Sequence, residues 1–211
     1  MSLRRKSLRT AAAAVTAVVA LAAGATTANA GVLVASSPSC DDQALSKTFL
    51  PWLDVADYTP LAGADFETGA RAWSLHGSAV AAGNEPYRVG GANDAKSLAL
   101  PSGASATSPT ICVGITHPTI RFFAKRRSGG MLSTSHLRVD VLFETASGNV
   151  ASLPIGLVEN GGSWQVTSPI LVAANLLALL PGETTPVAFR FTAEDGDWSI
   201  DDVWVDPYMR K

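Results

Sequence analysis

"DGDWSIDDVWVDP" (Asp195–Pro207) places five aspartates among strongly β-forming residues, and its alternation decides how the chain is built. Side chains on a strand alternate between faces. Trp198 and Ile200 therefore share one face. A strict period of two would put Asp202 and Trp204 beside them, with Asp201 beside Val203 and Val205. Neither face is then uniformly apolar. Either one carboxylate points inward, or the strand bulges at Asp201–Asp202. A bulge would let Trp198, Ile200, Val203 and Val205 all face a core and turn an aspartate sideways. An EF-hand reading fails. Asp195, Asp197 and Ser199 occupy its positions 1, 3 and 5, but Ile200 stands where a glycine must turn the chain, and Asp206 where glutamate is needed.

Outward from this stretch the chain reads as short strands. "AWSLHG", "SAVAAG", "KSLALP", "ASATSP", "TICVG", "PTIRFFAKR", "HLRVDVLFET", "NVASLPIGLV", "WQVTSPI" and "PVAFRFTAE" are apolar or β-branched runs between Gly, Pro, Asn and Ser clusters, and "ADFET" is a further candidate. In "LRVDVLFE" Leu137, Val139, Val141 and Phe143 alternate with Arg138, Asp140, Leu142 and Glu144. "SPILVAANLLALLPG" (168–182) is apolar almost throughout, so its period does not separate strand from short helix. No long helical period occurs elsewhere. The pattern predicts an all-β fold, an antiparallel β-sandwich of jelly-roll type, over residues 63–207. Residues 31–62 read as an extended arm with one helical turn near Leu45–Phe49, held on the surface by Cys40, Phe49, Trp52 and Tyr58. Residues 208–211 form a tail.

The first thirty residues have the layout of a secretory signal peptide. Arg4, Arg5, Lys6 and Arg9 precede an uncharged run, Ala11–Ala23, and Ala28-Asn29-Ala30 forms a cleavage site. Export is the expected localisation. Without this segment 181 residues remain, enough for one core. Twelve Lys and Arg then face 18 Asp and Glu, a net charge of −6. Such a balance argues against nucleic acid or an anionic membrane as partner. "AKRRS" (Ala124–Ser128) is the one basic run and reads as a solvated turn. Cys40 and Cys112, an even pair after an export signal, are expected to form a disulfide.

"GADFETGARAWSLHG" (63–77), "KSLALP" (96–101) and "GDWSIDDVWVDP" (196–207) together resemble the opening, an early and the closing strand of jelly-roll carbohydrate-binding modules and galactose-binding-like domains. The whole chain also looks like a group of secreted bacterial jelly-roll proteins, a resemblance that implies no activity. In the resembled domains the first and last strands lie side by side, and many hold a structural Ca²⁺ between them. Carried over, the resemblance implies Glu67 and Asp201 as ligands, with Asp65 a weaker addition. A strand-end hydrogen-bond network without metal is the alternative.

Catalytic chemistry finds little support. His76, His117 and His136 are the only histidines, and none has the company of a zinc site. No Gly-x-Ser-x-Gly occurs, and Ser133, Ser135 and His136 lack a nucleophile's setting. The expectation is no enzyme, although converging carboxylates for glycan hydrolysis stay open. Glycan binding needs flat aromatic faces beside planar polar groups. Aromatics are 7% of the chain, and a core will consume most of them. Tyr87, Trp164 and Trp204 are left over. "GNEPYRVGG" (83–91) combines Tyr87 with Asn84 and Arg88, so Tyr87, Arg88, Asn84 and Trp164 are the candidate ligand contacts. The leading reading is a secreted, non-catalytic glycan-binding module, its partner a cell-wall or extracellular glycan. A structural or protein-interaction module and a hydrolase are the alternatives.

Overall fold

The segment Trp198–Asp206 is a strand, and it does bulge. In the computed structural model, which describes residues 43–114, 118–128, 134–145, 148–159, 161–172 and 184–207, Asp201 pairs with Phe123 and Trp204 with Arg121. Asp202 and Val203 thus oppose the single residue between those partners. Asp202 takes the left-handed conformation, φ 47°. The consequence is the one the alternation demands: Trp198, Ile200, Val203 and Val205 are all buried in the main core.

Among the described residues, thirteen strands form two antiparallel sheets. They are β1 (Thr59–Pro60), β2 (Ser74–His76), β3 (Ala79–Ala82), β4 (Lys96–Leu100), β5 (Ser105–Thr107), β6 (Ile111–Gly114), β7 (Thr119–Arg126), β8 (His136–Glu144), β9 (Val150–Val158), β10 (Gln165–Val166), β11 (Ile170–Leu171), β12 (Thr184–Glu194) and β13 (Trp198–Asp206). One sheet runs β10-β7-β13-β4-β3, with β1 on β13 and β11 on β7; the other runs β2-β5-β12-β8-β9, with β6 on β12. This is the expected sandwich. Leu137, Val139 and Val141 from β8 and Val187, Phe189 and Phe191 from β12 meet Phe122, Ile200 and Trp198 across the core. On the outer side of β8, Asp140 is buried and accepts from Arg138 Nε at 3.1 Å.

Two expectations need correction. "ADFET" is not a strand. Residues 61–73 run through successive turns, with Phe66 at φ 55°. Its ring still enters the core beside Trp73, 5.1 Å between centroids. Strand parity therefore says nothing about Asp65 and Glu67. The closing strand pairs with β7, β4 and β1, and Thr59 of β1 lies opposite Val205, so the sandwich begins inside the segment read as the arm. Of 168–182, β11 is a strand and the rest from 173 lies outside the described residues. So do the proposed signal peptide, Cys40, His117, Ser133 and the tail, residues 208–211.

The arm crosses the outer face of the seven-stranded sheet. Its helical turn is 3-10 and lies at Leu50–Trp52, later than expected. Phe49 and Tyr58 are buried against Phe123 in a second small core. Arg121 clamps the arm: Nη1 reaches Asp54 Oδ2 at 2.6 Å, Nε donates to Thr167 O at 2.9 Å, and the guanidinium sits 4.6 Å over the Phe49 ring. Burial opposes charge on Asp54, but hydrogen bonds from Ala56 N, Tyr58 OH and Arg121 hold its carboxyl below the ordinary value.

Candidate functional site

The outward side chains of β7 are Arg121, Phe123 and Lys125, because Ile120, Phe122 and Ala124 face the core. Across the ladder, Trp204 lies opposite Arg121 and Ser199 opposite Lys125. Asp201 stands opposite Phe123, between them. Two pockets lie over this face. The first, about 580 Å³, is lined by Ser46, Thr48, Pro51, Trp52, Tyr87, Val89 and Trp204. Trp52 and Tyr87 meet edge to face, 5.1 Å between centroids, and both rings touch Phe123. Tyr87 is 51% exposed. The arm supplies one wall, the loop from Gly83 to Gly91 another, and β13 the floor.

The second pocket, about 170 Å³, joins Trp164 to Ala81, Ala82, Gly83, Ser97, Ser199, Lys125 and Arg127. Tyr87 and Trp164 thus lie over one sheet face but in different pockets. Trp164 and Trp204 are half-buried, not open platforms. Arg88 is exposed and donates to Ala92 O at 2.7 Å. Asn84 Nδ2 donates to Glu85 O at 2.9 Å, while its Oδ1 is buried without a partner. Neither polar residue lines either pocket, so these two ligand contacts are not supported by their placement.

Beneath the loop lies a group of carboxyls. Glu85, Asp201 and Asp202 are buried, and none of them, nor Asp94, is in an ion pair among the described residues. Glu85 accepts from Val89 N at 2.6 Å and from Tyr87 N, which ties the loop into a tight turn. Asp201 accepts from Glu85 N at 3.2 Å and from Asp202 N at 3.0 Å. Asp202 accepts from Gly90 N at 3.1 Å. Burial pushes Asp201 up to about 9, with the neighbouring Asp202 charge adding to it. Burial likewise raises Asp202, reinforced by Glu85 and Asp94, and raises Asp94, reinforced by Glu67 and Asp65.

Glu67 and Asp201 are engaged separately. Glu67 Oε1 accepts from Ala95 N at 2.7 Å and Lys96 N at 2.6 Å, closing the start of β4. Asp65 Oδ1 accepts from Glu67 N at 3.3 Å and lines a cavity of about 250 Å³ with Gly90 and Asp202. Among the described residues no three His, Cys, Asp or Glu side chains converge as a metal set. Two carboxylate oxygens do converge. Asp202 Oδ1 and Asp94 Oδ2 lie 2.4 and 2.7 Å from where a Cβ on Gly90 would stand. Asp94 Oδ2 is also buried without a partner. A hard cation with backbone carbonyls and water completing its shell would fit this pair better than Glu67 with Asp201.

His76 ends β2 and is exposed. His136 Nε2 meets Glu194 Oε2 at 2.5 Å, and Arg138 pairs with the same carboxylate. That network lies on the other sheet, away from both pockets. Sequence reasoning missed Trp52 as a pocket wall, because it was assigned to holding the arm. It missed Asp94, just beyond the loop "GNEPYRVGG" singled out for ligand contacts, and the part Glu85 plays in tying that loop, and it set Lys125 and Arg127 aside as a solvated turn.

No family model matches the chain, and no curated protein matches it. Solved structures do. The modules of Clostridium thermocellum endo-1,4-β-D-xylanase 10B comprising a carbohydrate-binding module of family 22 and the catalytic module, complexed with xylohexaose, align over 69% of this chain and 27% of that one, with 16% identity and TM-score 0.46. The carbohydrate-binding module TmCBM61 in complex with β-1,4-galactotriose aligns over 69% and 95%, with 15% identity and TM-score 0.38. The family 11 module of the C. thermocellum cellulase Lic26A-Cel5E aligns over 75% and 99%, with 12% identity and TM-score 0.42. Likeness at this level leaves function to the geometry.

Proposed function

We propose that the chain is a secreted, non-catalytic module that binds a cell-wall or extracellular glycan on the outer face of the seven-stranded sheet. The observation that carries this reading is the pocket of about 580 Å³ walled by Trp52, Tyr87 and Trp204, with the Ser46 and Thr48 hydroxyls at its rim. Ring faces suit the C–H faces of a pyranose, and hydroxyls suit its edges. Three observations hold the rings in place. The arm is clamped through Asp54 and Arg121, the loop is tied by Glu85, and Trp204 is carried by the sheet itself. A site built this way loses little side-chain entropy on binding.

Affinity electrophoresis of the chain from Gly31 in gels carrying neutral polysaccharides tests this. Retention by at least one neutral glycan is expected. Trp52→Ala or Tyr87→Ala should weaken it about tenfold, ~1.4 kcal/mol, while the fold persists. A parent chain that no neutral glycan retards would overturn the reading.

A structural Ca²⁺ is part of the same proposal, seated between Asp94 and Asp202 with Asp65 at the mouth of the adjoining cavity. It would supply charge compensation for buried carboxyls and pin the loop that carries Tyr87.

A further inference from the structure

We infer that the pocket beside Trp164 is a subsite for the carboxylate of a uronic acid residue, which makes the ligand an acidic polysaccharide. The inference rests on the glycan-binding reading and narrows it. Charge is the first observation. The chain is acidic overall, yet this pocket is lined by Lys125 and Arg127 and by no acid. Neither cation is in an ion pair among the described residues. Two cations converging on one pocket repel each other, and an anion between them removes that cost.

Placement is the second observation. Lys125 points outward from β7, opposite Ser199. Arg127 follows the end of the strand, its backbone N–H donating to Asp197 O at 2.7 Å, and lines the same pocket. The floor is small: Ala81, Gly83, Ser97 and Ser199 leave the sheet open to a flat ring. Trp164 offers a half-buried ring as a wall. Asp201 lies one row along the same face, but its carboxyl is buried and engaged by Glu85 N and Asp202 N rather than by either cation.

Chemistry selects the ligand. Guanidinium pairs with a planar carboxylate through two parallel hydrogen bonds, and an ammonium adds a point charge. An aromatic wall and two serine hydroxyls suit a pyranose. A pocket of about 170 Å³ falls below the roughly 300–1,000 Å³ of larger ligand sites, so it suits one sugar residue. From Lys125 to Arg121, the row of Trp204, is four residues, about 13 Å at roughly 3.3 Å per residue. One glycan chain spans both pockets at that separation.

The test is isothermal titration of the chain from Gly31 with polygalacturonate, alginate and hyaluronan. Methyl-esterified polygalacturonate, dextran sulfate and the neutral glycans serve as comparison arms. Binding of at least one uronate polymer is expected. Esterifying that polymer, or substituting Lys125→Gln with Arg127→Gln, should each weaken binding at least tenfold. The double variant should bind neutral glycans as the parent does, and Arg127→Lys should retain part of the uronate affinity. Neutral binding with indifference to every uronate polymer overturns this inference alone. Absence of both overturns the glycan reading as well. Dextran sulfate bound as tightly as the uronates would show a diffuse charge effect and overturn the carboxylate subsite.

Discussion

Gly90 donates its N–H to Asp202 Oδ2 at 3.1 Å, and the side chain it lacks is what leaves room for the Asp202 carboxyl. A Cβ there would stand 2.4 Å from Asp202 Oδ1 and 2.7 Å from Asp94 Oδ2, too close for either. Gly90→Ala should destabilise the fold by about 1–3 kcal/mol, read as a lower urea midpoint at unchanged slope. An unchanged midpoint would mean the loop gives way freely.

The same pair of oxygens sets the calcium prediction. Calcium held only by the folded state should stabilise it by about 2.7 kcal/mol at a hundredfold excess over Kd. Chelator should lower the melting temperature, and Asp202→Asn should remove the response, whereas Glu67→Gln should preserve it. A melting curve indifferent to calcium and chelator leaves a hydrogen-bond network as the answer.

Without divalent cations, stability should fall as pH rises. The folded-state carboxyl of Asp201 titrates at about 9, far above an unfolded aspartate at about 3.9. The folded chain therefore keeps a proton that the unfolded chain releases. The resulting stability is complete below about pH 4 and is lost progressively toward pH 9. Asp201→Asn should flatten that slope and unfold at higher urea than the parent at pH 8 in chelator. Parallel slopes for the two proteins would remove Asp201 as the cause.

The arm carries the fourth prediction. Gln43 Nε2 donates to the backbone carbonyl of Cys112 at 3.0 Å, which brings the chain to within three residues of Cys40 at the buried Cys112. A bond between the two cysteines should contribute ~4 kcal/mol by closing a loop of about 72 residues. Reductant should lower the urea midpoint accordingly. Two thiols alkylated in the unreduced, denatured protein would end this assignment.

Local chemistry alone determined a good deal here. Alternation in "LRVDVLFE" named the core face of β8. The broken alternation at Asp201–Asp202 required a bulge or an inward charge, and the bulge formed. Both readings succeed because a strand's side-chain period is a property of the strand itself. The opening "ADFET" misled because Phe66 reaches the core from a turn with positive φ, a geometry that β-propensity does not register. Partnership was decided by tertiary structure. Glu67 caps the start of β4 instead of joining Asp201, and Asp94 joins Asp202 because Gly90 leaves the space. Trp52 becomes a pocket wall only because Arg121 draws the arm across the sheet. Lys125 and Arg127 line a pocket because β3, β4 and β13 place the small side chains of Ala81, Ser97 and Ser199 beside them. Each of these depends on which distant strands lie side by side, and residue type and local period carry no record of that.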